Sequence, residues 1–155
     1  AVDCASRIGM FQGGSMAEGW ACYATDLMDE SGFLTDEMSL AQQHARARLL
    51  ARAVVDLGLH GGTLPFDEAV GIYRDRVGMP SEAARGEVCK NSMFPATAVM
   101  YWLGTDGIHR LRREHAHECA SLCAFHDRLL SFGSIPVPLI AQSWSAKARA
   151  ERQGR

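Results

Sequence analysis

The sequence predicts an all-α fold, an irregular bundle of about six helices. Three observations point there. Apolar residues recur at intervals of three and four, without strict alternation. Runs of β-branched residues are few. The 15 glycines and 5 prolines fall largely between the periodic stretches, where they act as stops and starts. At 155 residues the chain is long enough to bury a real core, and the expectation is a single helical domain over residues 1–142 with a polar C-terminal tail over 143–155.

The elements follow in order. After Gly13-Gly14, Ser15 is a good N-cap and Glu18 lies three residues on, matching a capping box; this first helix should reach about Glu30, with Gly32 as its stop. A second, longer helix opens near Thr35, with Asp36 and Glu37 in its first turn favouring the dipole. Leu40, Ala47, Leu50, Val54 and Leu57 give it an apolar stripe, expected to face the core, and Gly58, Gly61 and Gly62 end it. Pro65 opens a third helix with Ala69, Ile72 and Tyr73 inward, ending at Gly78-Met79-Pro80. Ser81 is expected to cap a fourth helix, and Pro95 to open a fifth through Val99, Leu103, Ile108 and Leu111. Gly104 and Gly107 weaken that helix and are of use only if another backbone comes close. Ser121 caps a short sixth helix carrying Phe125 and Leu129, Gly133 ends it, and Pro136 and Pro138 start a last segment.

Composition narrows the function. With 47% apolar and 22% charged residues the chain is neither disordered nor fibrous. A formal charge of −2 argues against nucleic-acid binding, and no apolar run is long enough to span a bilayer. The N-terminal residues lack a basic and apolar leader pattern, and the five scattered cysteines (Cys4, Cys22, Cys89, Cys119, Cys123) suit reduced thiols; both point to a cytoplasmic setting. Cys22 and Cys89 sit in apolar stretches and are expected in the core.

Phosphate-loop, nucleophile-elbow and CxxC motifs are absent, and His117-Glu118 is not followed by the second histidine of HExxH. His115, Cys119, Cys123 and His126 would share one face of an unbroken helix and are residue types that zinc accepts. Ser121 reads as a break between the pairs, however, and four ligands from one straight helix cannot surround an ion tetrahedrally. Glu18 has two readings, capping-box partner or a metal ligand beside Trp20 and Tyr23. Tyr101 suits a core position with its hydroxyl paired, and His60 a partner of the helix C-terminus.

A resemblance bears on these alternatives. Glu18-Gly19-Trp20-Ala21-Cys22-Tyr23 resembles the EGWA-x-Y signature of the bacterial "domain of unknown function 885" family. Arg48, Arg52 and Val54-Val55-Asp56-Leu57-Gly58-Leu59-His60 look like its R-x3-R-x-VVD-x-GLH segment. Pro95, Ala98 and Tyr101-Trp102-Leu103-Gly104 look like its P-x-x-A-x-x-Y-x-x-G segment, with Leu111-Arg112 beyond; Phe125-His126-Asp127 and Gly133-Ser134-Ile135-Pro136 look like its closing elements. The four blocks run in order from about Arg7 to Gln142.

The resemblance implies a helical fold like that of zinc metallopeptidases acting on peptide or amide bonds. By that analogy Glu18 is the third zinc ligand, Tyr101 hydrogen-bonds the developing oxyanion, and His60, Arg52 and Arg112 bind substrate or orient the site. Asp56 and His126 suit buried polar anchors equally well. The family's HE-x-x-PGH segment, with two ligands and the general base, lies upstream of EGWA; only 17 residues precede Glu18 here and none is histidine. One ligand cannot hold a catalytic zinc, so this chain alone is expected to keep no zinc and to be inactive. The family's P-G-Q-A is Pro95-Ala96-Thr97-Ala98 here, and its lysine after the tyrosine is Trp102. The alternative expectation is a non-catalytic helical domain whose uncovered apolar faces favour self-association or a partner.

Overall fold

The computed structural model describes the backbone of residues 14–153 and the side chains of residues 14–145. Cys4, Arg7 and the rest of the segment before Gly14 lie outside the described residues. The fold is all-α, with α1 Gly14–Glu30, α2 Asp36–His60, α3 Phe66–Gly71, α4 Ser81–Met93, α5 Thr97–His115, α6 Leu122–Ser131 and α7 Val137–Gln153. A π-helical turn, Ile72–Arg76, continues α3, and a 3-10 turn, Ala116–Glu118, follows α5. The chain divides into two compact units, residues 24–102 and residues 1–23 with 103–155; the divisions fall inside α1 and α5.

In the unit of residues 24–102, local chemistry sets the helix limits. The Thr35 hydroxyl caps α2 by accepting from the Met38 amide at 3.3 Å. Gly62, at φ +67, closes the helix: its amide donates to the Leu59 carbonyl and that of Thr63 to the Gly58 carbonyl. Gly32, at φ +72, ends α1 in the same way. At α4 the expectation fails in detail, for Pro80 occupies the cap position without a side-chain hydrogen bond and Ser81 is the first helical residue.

The expected inward stripe of α2 is corrected outright. Leu40, Val54 and Leu57 are 72%, 58% and 62% exposed, and Leu50 is exposed too. The core is built from the adjoining face, where Ala51 and Val55 pack with Ala69, Val70, Tyr73, Val77, Ala84 and Val88, and Leu59 lies against them. At the end of the helix a Cβ on Gly58 would stand 2.6 Å from that of Leu64, so glycine leaves room there for the Leu64 side chain. Cys89 is exposed, contrary to expectation, whereas Cys22 is buried.

In the other unit, α1 and α5 meet through glycine. A Cβ on Gly104 would overlap the Ser15 carbonyl oxygen and stand 2.8 Å from the Gly19 Cα, and one on Gly19 would overlap the Gly104 backbone. Ser15 lies inside α1 rather than at its cap, and its carbonyl abuts Gly104. Ile108, Leu111, Phe125, Leu129, Val137, Ile140 and Trp144 form the core. Trp144 is tilted against Phe125 and stacked on Phe132, with the Arg128 guanidinium 4.3 Å from its ring centre. Ser121 caps α6 as expected, accepting from the Ala124 amide at 3.1 Å, and Gly133 at φ +71 follows its end. α7 continues through Gln153, into the stretch expected as a polar tail. No helix among the described residues is long and apolar enough to cross a membrane.

Candidate functional site

Two constellations of chemistry-bearing side chains stand out, one in each unit.

The first surrounds Tyr23, which is fully buried on α1. Its hydroxyl is hydrogen-bonded to His126 Nε2 of α6 at 2.8 Å. His109 of α5 meets the Tyr23 ring edge-to-face, with centroids 4.9 Å apart, and the Arg112 guanidinium lies 5.9 Å from the centre of the same ring. Trp20 packs beside both Tyr23 and His126. The spacing produces this: Trp20 and Tyr23 are three apart on α1, as are His109 and Arg112 on α5, so each pair shares a helix face. A buried phenol bonded to an imidazole can pass a proton and bind a polar group, and Arg112 adds positive charge beside it. Sequence reasoning named Arg112 and His126 but missed His109, whose signal was its place one turn before Arg112.

Glu18 is half-buried on α1 and points elsewhere. Five residues from Tyr23, it lies roughly 140° around the helix from it. The capping-box reading is lost, because Ser15 is helical. Among the described residues none forms a hydrogen bond or ion pair with the Glu18 carboxylate. No three His, Cys, Asp or Glu side chains gather as a metal-binding group among the described residues.

The second constellation centres on Asp56, 1% exposed on α2. Its carboxylate accepts from the amides of Ala96 and Ala98, both at 2.9 Å, and so ties α2 to the start of α5. Ala96 adopts φ +62, in the left-handed region that glycine favours. His60 Nδ1 lies 2.8 Å from the Asp56 carboxylate and 2.9 Å from the Asp56 carbonyl; both are acceptors, so Nδ1 carries hydrogen. Its Nε2 faces the Ser92 carbonyl at 3.4 Å. The Asp56 carbonyl, with the Ser92 carbonyl and the Asp56 carboxylate, raises the His60 pKa against the opposing effect of desolvation.

One turn before Asp56, the Nε of Arg52 donates to Glu87 at 2.7 Å, and the Arg52 carbonyl accepts from Asn91. Asn91 also donates to the Tyr73 hydroxyl, whose pKa is pushed up to about 12, mainly by burial and then by the Glu87 charge. Tyr101 is half-buried on α5, one turn beyond the Asp56 tie. Thus Arg52, His60 and Tyr101 belong to this unit, whereas Glu18 and Arg112 belong to the other.

The histidine–cysteine group does not assemble. The 3-10 turn breaks the helix; His115 stacks on Trp144, and His126 turns to Tyr23. Cys123 contacts Asp127, and Cys119 contacts the His115 carbonyl.

A search of the curated proteins finds no match. Among solved structures, the chain is similar to a "putative lipoprotein of unknown function" from Shewanella oneidensis, at 28% identity and a TM-score of 0.78. The match covers 87% of this chain but only 26% of that one, so this chain spans about a quarter of its length. The family described as "Bacterial protein of unknown function (DUF885)" matches residues 3–143, nearly the whole sequence, and the chain therefore belongs to the DUF885 family.

Proposed function

We propose that the chain contributes part of the active site of a zinc-dependent hydrolase acting on peptide or amide bonds. The observation that carries this reading is the Glu18 carboxylate, half-buried in the EGWA segment with no partner among the described residues. In this reading Glu18 is one zinc ligand, and an HE-x-x-PGH segment outside this sequence provides the others. Zinc, when bound, would polarise the scissile carbonyl. Tyr101 would hydrogen-bond the carbonyl oxygen, Arg112 would attract a substrate carboxylate, and His60 and Arg52 would be held for substrate by Asp56 and Glu87. The lipoprotein description of the similar Shewanella chain supports an exported parent over the cytoplasmic setting inferred from the sequence.

The test begins with the reading frame upstream of Ala1, where an HE-x-x-PGH segment is expected; its absence would sink the hydrolase reading. In the protein carrying that segment, Glu18→Gln should abolish stoichiometric zinc, measured by elemental analysis after dialysis, together with peptidase activity. The present chain alone is expected to retain no stoichiometric zinc.

A second reading, a non-catalytic helical domain that pairs with a partner or with itself, is favoured by one observation: the apolar stripe of α2 that the fold leaves exposed.

A further inference from the structure

The exposed stripe of α2 has a period. Leu40, Ala47 and Val54 are spaced by seven, and so are Gln43, Leu50 and Leu57, three residues on from each. These are the a and d positions of a heptad repeat, the spacing with which one helix presents a seam to another. All six residues are exposed, and from Leu40 to Leu57 the seam runs about 26 Å along the helix. The opposite side of the helix is committed: Ala51 and Val55 to the core, Asp56 to the start of α5, and Arg52 to Glu87. Beside the seam lies a groove of about 440 Å³, with Ala47, Leu50 and Val54 of α2 on one side and Ile72 and Val77 on the other.

The unit of residues 1–23 with 103–155 has an apolar groove of its own. It measures about 310 Å³, and its lining includes Leu103, Gly107 and Leu111 of α5 and Val137, Pro138 and Ala141 of α7. Uncovered apolar surface is therefore not confined to one helix, and surface of that kind marks a contact. The similar Shewanella chain shows how much polypeptide accompanies this architecture. The match covers 87% of the present chain at a TM-score of 0.78, yet only 26% of the other, so about three-quarters of that chain lies beyond the shared part.

We propose that the α2 seam and its groove form a contact within a longer parent chain, covered by an apolar helix face of the parent polypeptide that lies outside this sequence. Such a cover is tethered. It meets the seam at a high effective concentration and escapes most of the entropy that a separate molecule loses on docking, so a seam that includes the polar Gln43 suffices. The proposal rests on the longer parent that the hydrolase reading also needs, and it assigns to that parent the face that the second reading gives to a partner.

The test uses the parent as its full reading frame encodes it, with hydroxyl-radical footprinting read by mass spectrometry. Oxidation of Leu40, Leu50 and Leu57 should be several-fold slower in the native parent than in the same protein unfolded in urea, and close to that of the buried Leu129. Val54→Glu should lower the urea midpoint of the parent, because it sets an unpaired charge in a covered seam. The footprint needs no variant, so it stands whether or not the V54E parent folds. Oxidation of the three leucines at the unfolded rate, a V54E parent as stable as the native one, or a reading frame that adds no further polypeptide would overturn the proposal. So would protection that appears only as concentration rises, together with a dimer in light scattering, which would assign the seam to a second copy. The hydrolase reading fails separately: protected leucines in a parent without an HE-x-x-PGH segment would keep the seam and reject the zinc site, and a zinc-loaded parent with freely oxidised leucines would do the reverse.

Discussion

Residues 24–102 and the unit of residues 1–23 with 103–155 solve the same problem, fastening helices distant in sequence, by opposite means. The first uses a buried charge. Asp56 holds two backbone amides and an imidazole, reaching 40 and 42 residues along the chain. The second uses the lack of side chains: Gly19 and Gly104 let α1 and α5 touch backbone to backbone, and Tyr23 fills the adjacent space among rings. A charged tie tolerates small displacements but requires every hydrogen bond; a glycine contact requires only space, and tolerates no added atom.

Substitutions can break or sharpen that contrast. Gly104→Ala should be the most damaging, since its Cβ meets backbone that cannot rotate away; a loss of about 3 kcal/mol or more is expected in urea unfolding. A near-neutral effect would show that the two helices are not in contact in solution. Asp56→Ala should cost about 3 kcal/mol, since it strands the amides of Ala96 and Ala98. Hydrogen exchange should speed up at those amides first, before the rest of α5 opens.

Ala96→Gly should act in the other direction. Glycine accepts φ +62 without the strain that an L side chain adds, so a gain of about 0.5–1 kcal/mol in unfolding free energy is expected. A loss instead would mean that the solution backbone does not hold this conformation. The smallest effect concerns His60. Its pKa is raised in the folded chain, so its contribution is present below the ordinary value of 6.5 and is lost as pH rises through the folded value. The urea midpoint of the native chain, relative to His60→Gln, should therefore fall as pH rises above 6.5; parallel profiles would contradict the Asp56–His60 tie.

What was legible in the sequence was what depends on neighbouring residues. Thr35 and Ser121 cap helices, and Gly32, Gly62 and Gly133 close them, because the capping hydrogen bonds lie within a few residues. The close approach at Gly104 could be read as well, since glycine in mid-helix needs such a reason. The direction of α2 could not. The helix has two apolar faces, and periodicity weights Leu40, Leu50 and Leu57 by their size; packing chose the face with Ala51 and Val55. In the candidate site, Arg112 was found through its motif, but His109 and the left-handed Ala96 depend on partners dozens of residues away.

The division of the chain also sets an order of events. Residues 24–102 are contiguous, so every strand of their tie through Asp56 is present once the ribosome has made the start of α5. The other unit joins Tyr23 to His126, 103 residues later, and must wait for α6. Closing the longer loop costs about 0.8 kcal/mol more in chain entropy than closing that from Asp56 to Ala96. Until then the first turns of α1, with Trp20 and Tyr23, have no aromatic partners from downstream. A nascent chain arrested after residue 102 should thus hold one folded unit and a waiting helix, the state in which a chaperone or a partner would first encounter it.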